Sequence, residues 1–384
     1  MPQVAMIVSN HCDPDPRVEK EAIALVDAGY EVTIHAFDRE ENKDKLSKVE
    51  GVQIKRYRVG LTPSGAPSLI TGAKVLVGLR KFRKKVLRNL LESLPDIIHC
   101  HDADTLAVGL SLKRKKGTTL VFDMHDLAHT WARMAKPYSI VRRLIAMGIE
   151  VRLAKRIRSC DMIITSSGAV SRTSHPGFRE WVKKRAEGAN VVVVENRPID
   201  SNSNSLLPRE FTIGYAGKIR EKQMFHTLIK AVEKWPEENK PKLIIAGYGT
   251  ADSQVDELLN SSSINVERIK EYRRNELADI ISKMSVMYAL YPTERGNILD
   301  GALPTKMFDA AMHGRPSIVN SGCLMSDIAT AERIGIPVDP SDIDSLQTAL
   351  LQIKTEKTTV NLERDWSGEA KRLTSAYENI GNGS

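Results

Sequence analysis

Short apolar runs alternate with amphipathic stretches along nearly the whole chain, and that alternation is the strongest constraint on its fold. Residues 4–9 are a continuous apolar run of the kind a parallel sheet buries on both faces. Asp15 and Pro16 read as a helix N-cap and first helical residue. The helix they open runs through Val18, Ala22, Leu25 and Val26 to a C-cap at Gly29. Further strands are read at 31–37, 96–100, 119–123, 161–165 and 191–194. Strands separated by helices imply a parallel sheet with helices on both faces.

Residues 200–208, Asp-Ser-Asn-Ser-Asn-Ser-Leu-Leu-Pro, are the clearest linker. Beyond them the alternation restarts, with strands at 211–215, 242–246, 286–291 and 316–320. Helices are read at 224–234, 253–259, 275–284 and 305–313, the last capped by Gly314. The expected architecture is two tandem doubly wound α/β domains, 1–200 and 208–365, a count that suits 384 residues. Ligands of such sheets sit at the carboxyl ends of the strands, so the cleft between the domains is the expected active site.

No apolar run reaches the roughly 18 residues of a spanning helix. The first residues carry no basic leader and read as a buried strand. Cys12, Cys100, Cys160 and Cys323 are scattered, which fits a reducing compartment and argues against structural zinc. Charge is split: the net +8 comprises +11 in residues 1–200 and −3 in residues 201–384. A basic half of this size points to an anionic partner, nucleic acid or a membrane surface. Aromatic residues are 5% of the chain and no stacking motif for RNA is present, which disfavours nucleic acid.

Two segments of the second half carry candidate chemistry. In 211–222 a strand ends in Gly214 and Gly217, followed by Lys218, Arg220 and Lys222. Glycines admit close backbone approach and lysines supply point charges, so the loop suits a phosphate; the alternative is an ordinary turn with solvated lysines. In 291–319, Thr305 opens a helix whose free N–H groups favour an anion, with Lys306 adding charge. Asp309, one turn further, can accept hydrogen bonds from ligand hydroxyls. The alternative is a capped amphipathic helix with surface Lys and Asp.

The stretch from Lys306 to Ile318 resembles the donor-binding element of glycosyltransferase family 4, retaining enzymes of the GT-B fold. That family carries two glutamates eight apart, the second on a helix reading roughly K-L-F-E-Y-M-A-A-G-K-P-V-I. The resemblance implies that Asp309 contacts the nucleotide ribose and that Gly217, Lys218 and Lys222 hold the donor diphosphate. It implies further donor contacts from Thr305, Lys306, Tyr272 and the Gly247-Tyr-Gly249 turn. Residues 15–32, with Arg17, are similar to the opening helix of one branch of the family, and 194–200 resembles its P-N-G-V-D. The segment 366–377 looks like the family's last helix, so 366–384 is expected to return to the first domain. Two departures stand out. The first glutamate falls at Gly301, with Asp300 and Glu294 nearby, and the usual Gly-Gly turn is replaced by Asn10-His-Cys-Asp-Pro-Asp.

His99, His101 and Asp102 end one strand, and His125 with Asp126 follows the next. A metal site, core histidines and a family strand-end motif are all open readings. The resemblance implies that His101 faces the donor sugar, with His99 or Asp102 positioning it or the acceptor, and Arg17 and Asp300 near that site. It also implies transfer of a sugar from a UDP- or GDP-sugar co-substrate, with no cofactor. Neither candidate donor segment, 211–222 or 291–319, carries an Asp-x-Asp motif, so lysines are expected to replace a divalent ion at the leaving phosphate. A nucleotide-sugar epimerase of GT-B type and a catalytically impaired binding subunit are the rival readings.

The segment 74–91 places Val75, Leu79, Phe82, Val86 and Leu90 on one helical stripe. Lys74, Lys81, Lys84, Lys85 and Arg88 fall opposite. Such a helix signals a membrane surface; the alternative is an ordinary domain helix with its apolar face in the core, and both can hold, the stripe packing inward while the lysines meet headgroups. The expectation is a cytoplasmic enzyme, peripheral on the inner face of the cell membrane, with a lipid-linked or membrane-associated glycan acceptor.

Overall fold

A computed structural model describes residues 1–60, 69–134, 138–170, 175–199 and 206–381. The linker read at 200–208 therefore lies outside the described residues over 200–205, as do 382–384 of the closing helix. The chain forms two compact units. The first comprises Met1–Gly168, Phe178–Glu195 and Gly368–Ser384; the second comprises Ala169–Gly177 and Asn196–Ser367. The division thus falls at 195/196 rather than in 200–208, and 169–177 joins the second unit.

The first unit holds β1 (Gln3–Val8), α1 (Pro16–Asp27), β2 (Glu31–Phe37), β3 (Leu46–Val49), β4 (Val52–Tyr57), α2 (Leu69–Glu92) and β5 (Ile97–His101). It continues with α3 (Asp102–Lys116), β6 (Thr119–Met124), α4 (Ala128–Met134), α5 (Ile140–Ile157), β7 (Met162–Thr165), α6 (Phe178–Arg185) and β8 (Val191–Val193). Its sheet runs β3-β4-β2-β1-β5-β6-β7-β8, parallel except for the β3–β4 hairpin. That hairpin is not apparent in the sequence, because β3 is an edge strand of mostly exposed residues with no apolar alternation. The helix α1 begins as expected: the Asp15 side chain accepts from the Val18 N–H and Pro16 is the first helical residue. Its C-cap is Ala28, with Gly29 following at φ 90°.

The stripe on α2 is buried at Leu79, Phe82, Val86 and Leu90, where Phe82 stacks on Phe37 at 4.8 Å. Lys74, Lys81, Lys84, Lys85 and Arg88 are exposed, and Lys85 Nζ donates to the Arg58 carbonyl at 2.6 Å.

The second unit holds β9 (Thr212–Ala216), α7 (Lys222–Glu233), β10 (Lys242–Ala246), α8 (Asp252–Asn260), β11 (Val266–Ile269), α9 (Leu277–Ser282) and β12 (Val286–Ala289). Then come α10 (Thr305–Met312), β13 (Ser317–Asn320), α11 (Leu324–Ala331), β14 (Gly335–Val338) and α12 (Ile343–Glu356). Its sheet runs β11-β10-β9-β12-β13-β14, every pair parallel. The strand β14 was not anticipated; Gly-Ile-Pro-Val is short, and its proline is tolerated because the strand is at the edge. The last helix, α13 (Trp366–Gly381), belongs to the first unit from Gly368 onward.

Each sheet has one place where strand order reverses. In the first it lies between β1 and β5, and in the second between β9 and β12. The loops leaving the carboxyl ends of these strands splay apart there and open a crevice suited to ligands.

Candidate active site

The reversal point of the second sheet opens into a cavity of about 390 Å³. Gly217, Lys218 and Arg220, on the loop after β9, line one side. Thr305, Lys306 and Asp309 of α10 line another, and Tyr272 and Leu277 a third. The loop can take this path only because Gly247 and Gly249 lack side chains. A Cβ on Gly247, itself at φ 118°, would stand 1.9 Å from the Gly217 carbonyl oxygen, and one on Gly249 2.1 Å from that of Ile219. In their absence the loops pair: Gly217 N–H donates to Ala246 O at 3.0 Å and Ile219 N–H to Tyr248 O at 3.1 Å.

Positive charge converges on the cavity. Lys306 Nζ sits 3.7 Å from the centroid of the Tyr215 ring, a cation held on an aromatic face. The Tyr215 hydroxyl donates to the Lys218 carbonyl at 2.7 Å, fixing the turn. The first N–H groups of α10 add the positive end of a helix dipole. Burial and then the Asp309 carboxylate push the Tyr272 hydroxyl up, so these two cavity residues sense each other. Beneath α10, the buried Arg197 guanidinium stacks 3.8 Å over Phe308 and holds Glu332 by two hydrogen bonds of 2.6 Å.

Several expected donor residues stand elsewhere. Lys222 is exposed at the start of α7 and does not line the cavity; Arg220 does. Gly247 acts through packing, not as wall. Neither Asp300 nor Glu294 lines the cavity. Gly301 holds φ 100°, and a Cβ there would lie 2.5 Å from Gly177 Cα. No side chain fits where the family's first glutamate would fall, which explains the departure in the sequence.

At the reversal point of the first sheet a buried polar cluster surrounds Asp123. The register pairs His101 on β5 with Asp123 on β6. His101 Nδ1 donates to Asp123 Oδ2 at 3.1 Å, and His125 Nδ1 to the same oxygen at 2.8 Å. Arg17 reaches both Asp123 oxygens, from Nε at 2.9 Å and from Nη2 at 2.7 Å, and its Nη1 donates to Val194 O at 3.0 Å. Arg17 Nη2 also lies 3.0 Å from Glu21 Oε1. Burial works against the Asp123 charge, but Arg17 and His125 outweigh it and hold the carboxyl well below its usual range. Burial also opposes the charge on His125, yet Asp102 and Asp123 raise it to about 10. Glu21 is pushed up to about 7, by burial and then by Asp123.

Here too the structure reassigns residues. Asp102 does not orient His101; its Oδ1 lies 3.3 Å from His125 Nε2, on a backbone at φ 64°. Left-handed backbone at a non-glycine is uncommon and concentrates at functional sites. His99 is fully buried, and its Nδ1 shares a 2.8 Å hydrogen bond with the Tyr377 hydroxyl of α13. Burial pushes the His99 pKa well below its usual range, and the ring, fully buried and held by Tyr377, stands in the core and offers no surface to an acceptor. Arg17 is 4% exposed and engaged by Asp123 and Glu21. His101 keeps its Nε2 without a hydrogen-bond partner among the described residues.

The clusters Glu21–His99–His101 and His101–Asp123–His125 have ligand atoms within 4.8 Å of one another. They do not fit a metal: the Arg17 guanidinium, bonded to Asp123 and beside Glu21, already supplies positive charge to both carboxylates. Asp123, Glu21, Tyr377 and Arg220 were not singled out as site residues from the sequence. Only Arg220 carried a local signal, its place between the two lysines.

Residues 14–165 match the family model for the glycosyl transferase 4-like domain, and residues 196–373 that for glycosyl transferases group 1. The succinoglycan biosynthesis protein ExoL of Rhizobium meliloti (strain 1021) is 25% identical over 357 residues, 88% of this chain and 81% of ExoL. Among solved structures, a sucrose-phosphate synthase from Thermosynechococcus elongatus superposes with a TM-score of 0.74 at 15% identity, covering 100% of both chains. Anabaena HepE in complex with UDP-glucose gives 0.63 at 13% identity, covering 100% of this chain and 99% of HepE. At these identities the structural likeness bears on the fold alone, two parallel-sheet α/β units of GT-B type. With two glycosyltransferase models between them taking in most of the sequence, the chain belongs to the family 4 type of GT-B glycosyltransferases.

Proposed function

We propose that the enzyme moves a sugar, with retention, from a UDP- or GDP-sugar to a glycan acceptor carried on a lipid or held at a membrane. The observation that carries the donor reading is the convergence of Lys218, Arg220, Lys306 and the α10 N-terminus on one cavity, with Asp309 one turn further on. This suits a diphosphate beside a ribose. HepE, of like fold, was captured with UDP, with UDP-glucose and with UDP and glucose, and ExoL is named for the biosynthesis of a glycan.

In the proposed reaction the acceptor hydroxyl attacks the anomeric carbon on the face the phosphate leaves. The sugar–phosphate bond breaks, and the nucleoside diphosphate departs with the electron pair and takes the acceptor proton on a phosphate oxygen. Lys218, Arg220, Lys306 and the α10 N–H groups stabilise the new charge, each such donor supplying on the order of 3 kcal/mol in the transition state. Lys222, exposed at the start of α7, adds longer-range attraction. No metal is required in this scheme. His101 is assigned to the donor sugar, its Nδ1 held by Asp123 so that Nε2 is presented. The basic first half would keep the enzyme on the cytoplasmic face of the membrane.

Thermal unfolding with UDP and with GDP tests the donor site. A ligand at about 100 times its Kd adds about 2.7 kcal/mol. One nucleotide should raise the Tm of the wild type and not of Lys218→Ala; equal shifts in both would overturn the assignment. Release of nucleoside diphosphate only with acceptor present separates transfer from epimerisation.

A further inference from the structure

The helix α5 (Ile140–Ile157) buries only Ala146, Leu153 and Ile157 in the first unit. On its outward side Ile140, Val141, Leu144, Met147 and Val151 are between 60% and 75% exposed. Ile140, Leu144, Met147 and Val151 follow at helical spacing and form one stripe. Ile145, 53% exposed, widens the stripe, and Tyr138, 74% exposed, stands just before the helix. Single exposed apolar side chains are ordinary, but a contiguous face along most of a helix marks an interaction surface. Among the described residues no helix is long and apolar enough to cross a membrane. The helix is about 27 Å long, but its six charged residues bar it from spanning, so at a membrane it would lie in the interface plane.

The charges beside the stripe identify what covers it. The helix carries Arg142, Arg143, Arg152, Lys155 and Arg156 against one acid, Glu150, which is paired with Arg185. Arg83 of α2 lies close enough to this group that, after burial, the repulsion of Arg156 and Arg152 lowers its affinity for a proton, with only Asp104 opposing. The exposed Lys81, Lys84 and Arg88 extend the basic field along α2. A second copy of the chain would press like charges together across this face. A surface both apolar inside and anionic at its rim complements it.

We propose that the outward face of α5 inserts shallowly into the interfacial layer of an anionic phospholipid membrane, with the basic residues of α5 and α2 on the headgroups. This rests on the reading of the acceptor as membrane-associated, and it makes α5, not the lysines of α2, the anchoring element. Apolar insertion supplies the depth and lasting attachment, while the charges supply attraction that salt screens.

The test is flotation of the full chain with vesicles of phosphatidylglycerol and phosphatidylcholine at about 3:7, and with phosphatidylcholine alone. The wild type should float with the anionic vesicles and far less with the neutral ones. Leu144→Asp combined with Val151→Asp should lower partitioning by about tenfold or more, with the nucleotide-induced rise in Tm unchanged. Leu144→Trp should show a blue-shifted emission quenched by brominated lipid. If the double variant floats as the wild type does, the α5 assignment fails while the membrane reading stands. If the wild type does not float, both fail. A wild-type dimer that becomes monomeric in the double variant would make the face an interface between copies and overturn the proposal.

Discussion

The Arg17 guanidinium grips both carboxylate oxygens of Asp123, at 2.9 and 2.7 Å, across 106 residues of sequence. One ion pair thereby ties the opening helix to β6, the strand beside β5, and fixes the anion on which His101 and His125 are hung. Arg17→Ala leaves a buried carboxylate without its main counter-charge and should cost about 3–5 kcal/mol. Asp123→Asn keeps the shape but weakens the hold on the His101 ring; kcat should fall far more than KM rises. Urea unfolding and steady-state kinetics check the two, and a change in KM alone would remove His101 from the transition state.

Glu21 gives the first unit a pH dependence of predictable sign. Its pKa rises from 4.5 in the unfolded chain to about 7 in the fold, chiefly through burial. The folded state binds this proton more tightly, so the stability is fully present below pH 4.5 and is lost as pH rises toward 7. Glu21→Gln, neutral throughout, should flatten the decline in Tm between about pH 5 and pH 7. Parallel melting curves of variant and wild type would place the proton elsewhere.

Lys218→Ala and Lys306→Ala test the two sides of the donor cavity. Loss of one oriented positive group facing a leaving phosphate should lower kcat by about 10²–10³. Lys306→Met should do the same, although it retains contact with the Tyr215 ring. Full activity in either lysine variant would put the diphosphate elsewhere.

Gly247 and Gly301 distinguish packing from chemistry. Gly247→Ala drives a methyl onto the Gly217 carbonyl and should raise the nucleotide Kd at least about tenfold, a loss of about 1.4 kcal/mol. Gly29→Ala, also at positive φ but with nothing within 4 Å, should cost only about 1 kcal/mol of stability and leave the nucleotide Kd as it was. Gly301→Glu restores the residue the family pattern calls for, yet it should lower stability without adding activity, because Gly177 blocks the site.

Tyr377→Phe removes the hydroxyl that shares a hydrogen bond with His99 Nδ1 and leaves a buried ring nitrogen unsatisfied. The expected loss is about 1–3 kcal/mol, read by denaturant titration. A neutral result would mean that the helix α13 is held on the first unit by its apolar contacts alone.

The sequence alone determines what local interactions control. Apolar runs as long as 31–37 and 242–246 name their own strands, and Asp15-Pro16 or Gly314 names a helix end, because the controlling interactions lie within one turn or one strand. The donor element was legible for the same reason: Lys306 and Asp309 lie one turn apart, and Lys218 follows its strand directly. The edge strands β3 and β14 were not, since their pairing is decided by neighbours and not by their own alternation. Only the tertiary structure could choose Asp123 over Asp102 as the partner of His101, because strand register sets which carboxylate faces the ring. Likewise only packing shows that Gly301 excludes a glutamate, that His99 belongs to the core, and that α5 turns its apolar side outward. Sequence periodicity gives a helix its two faces; which of them meets the protein depends on the surfaces that other parts of the chain bring to it.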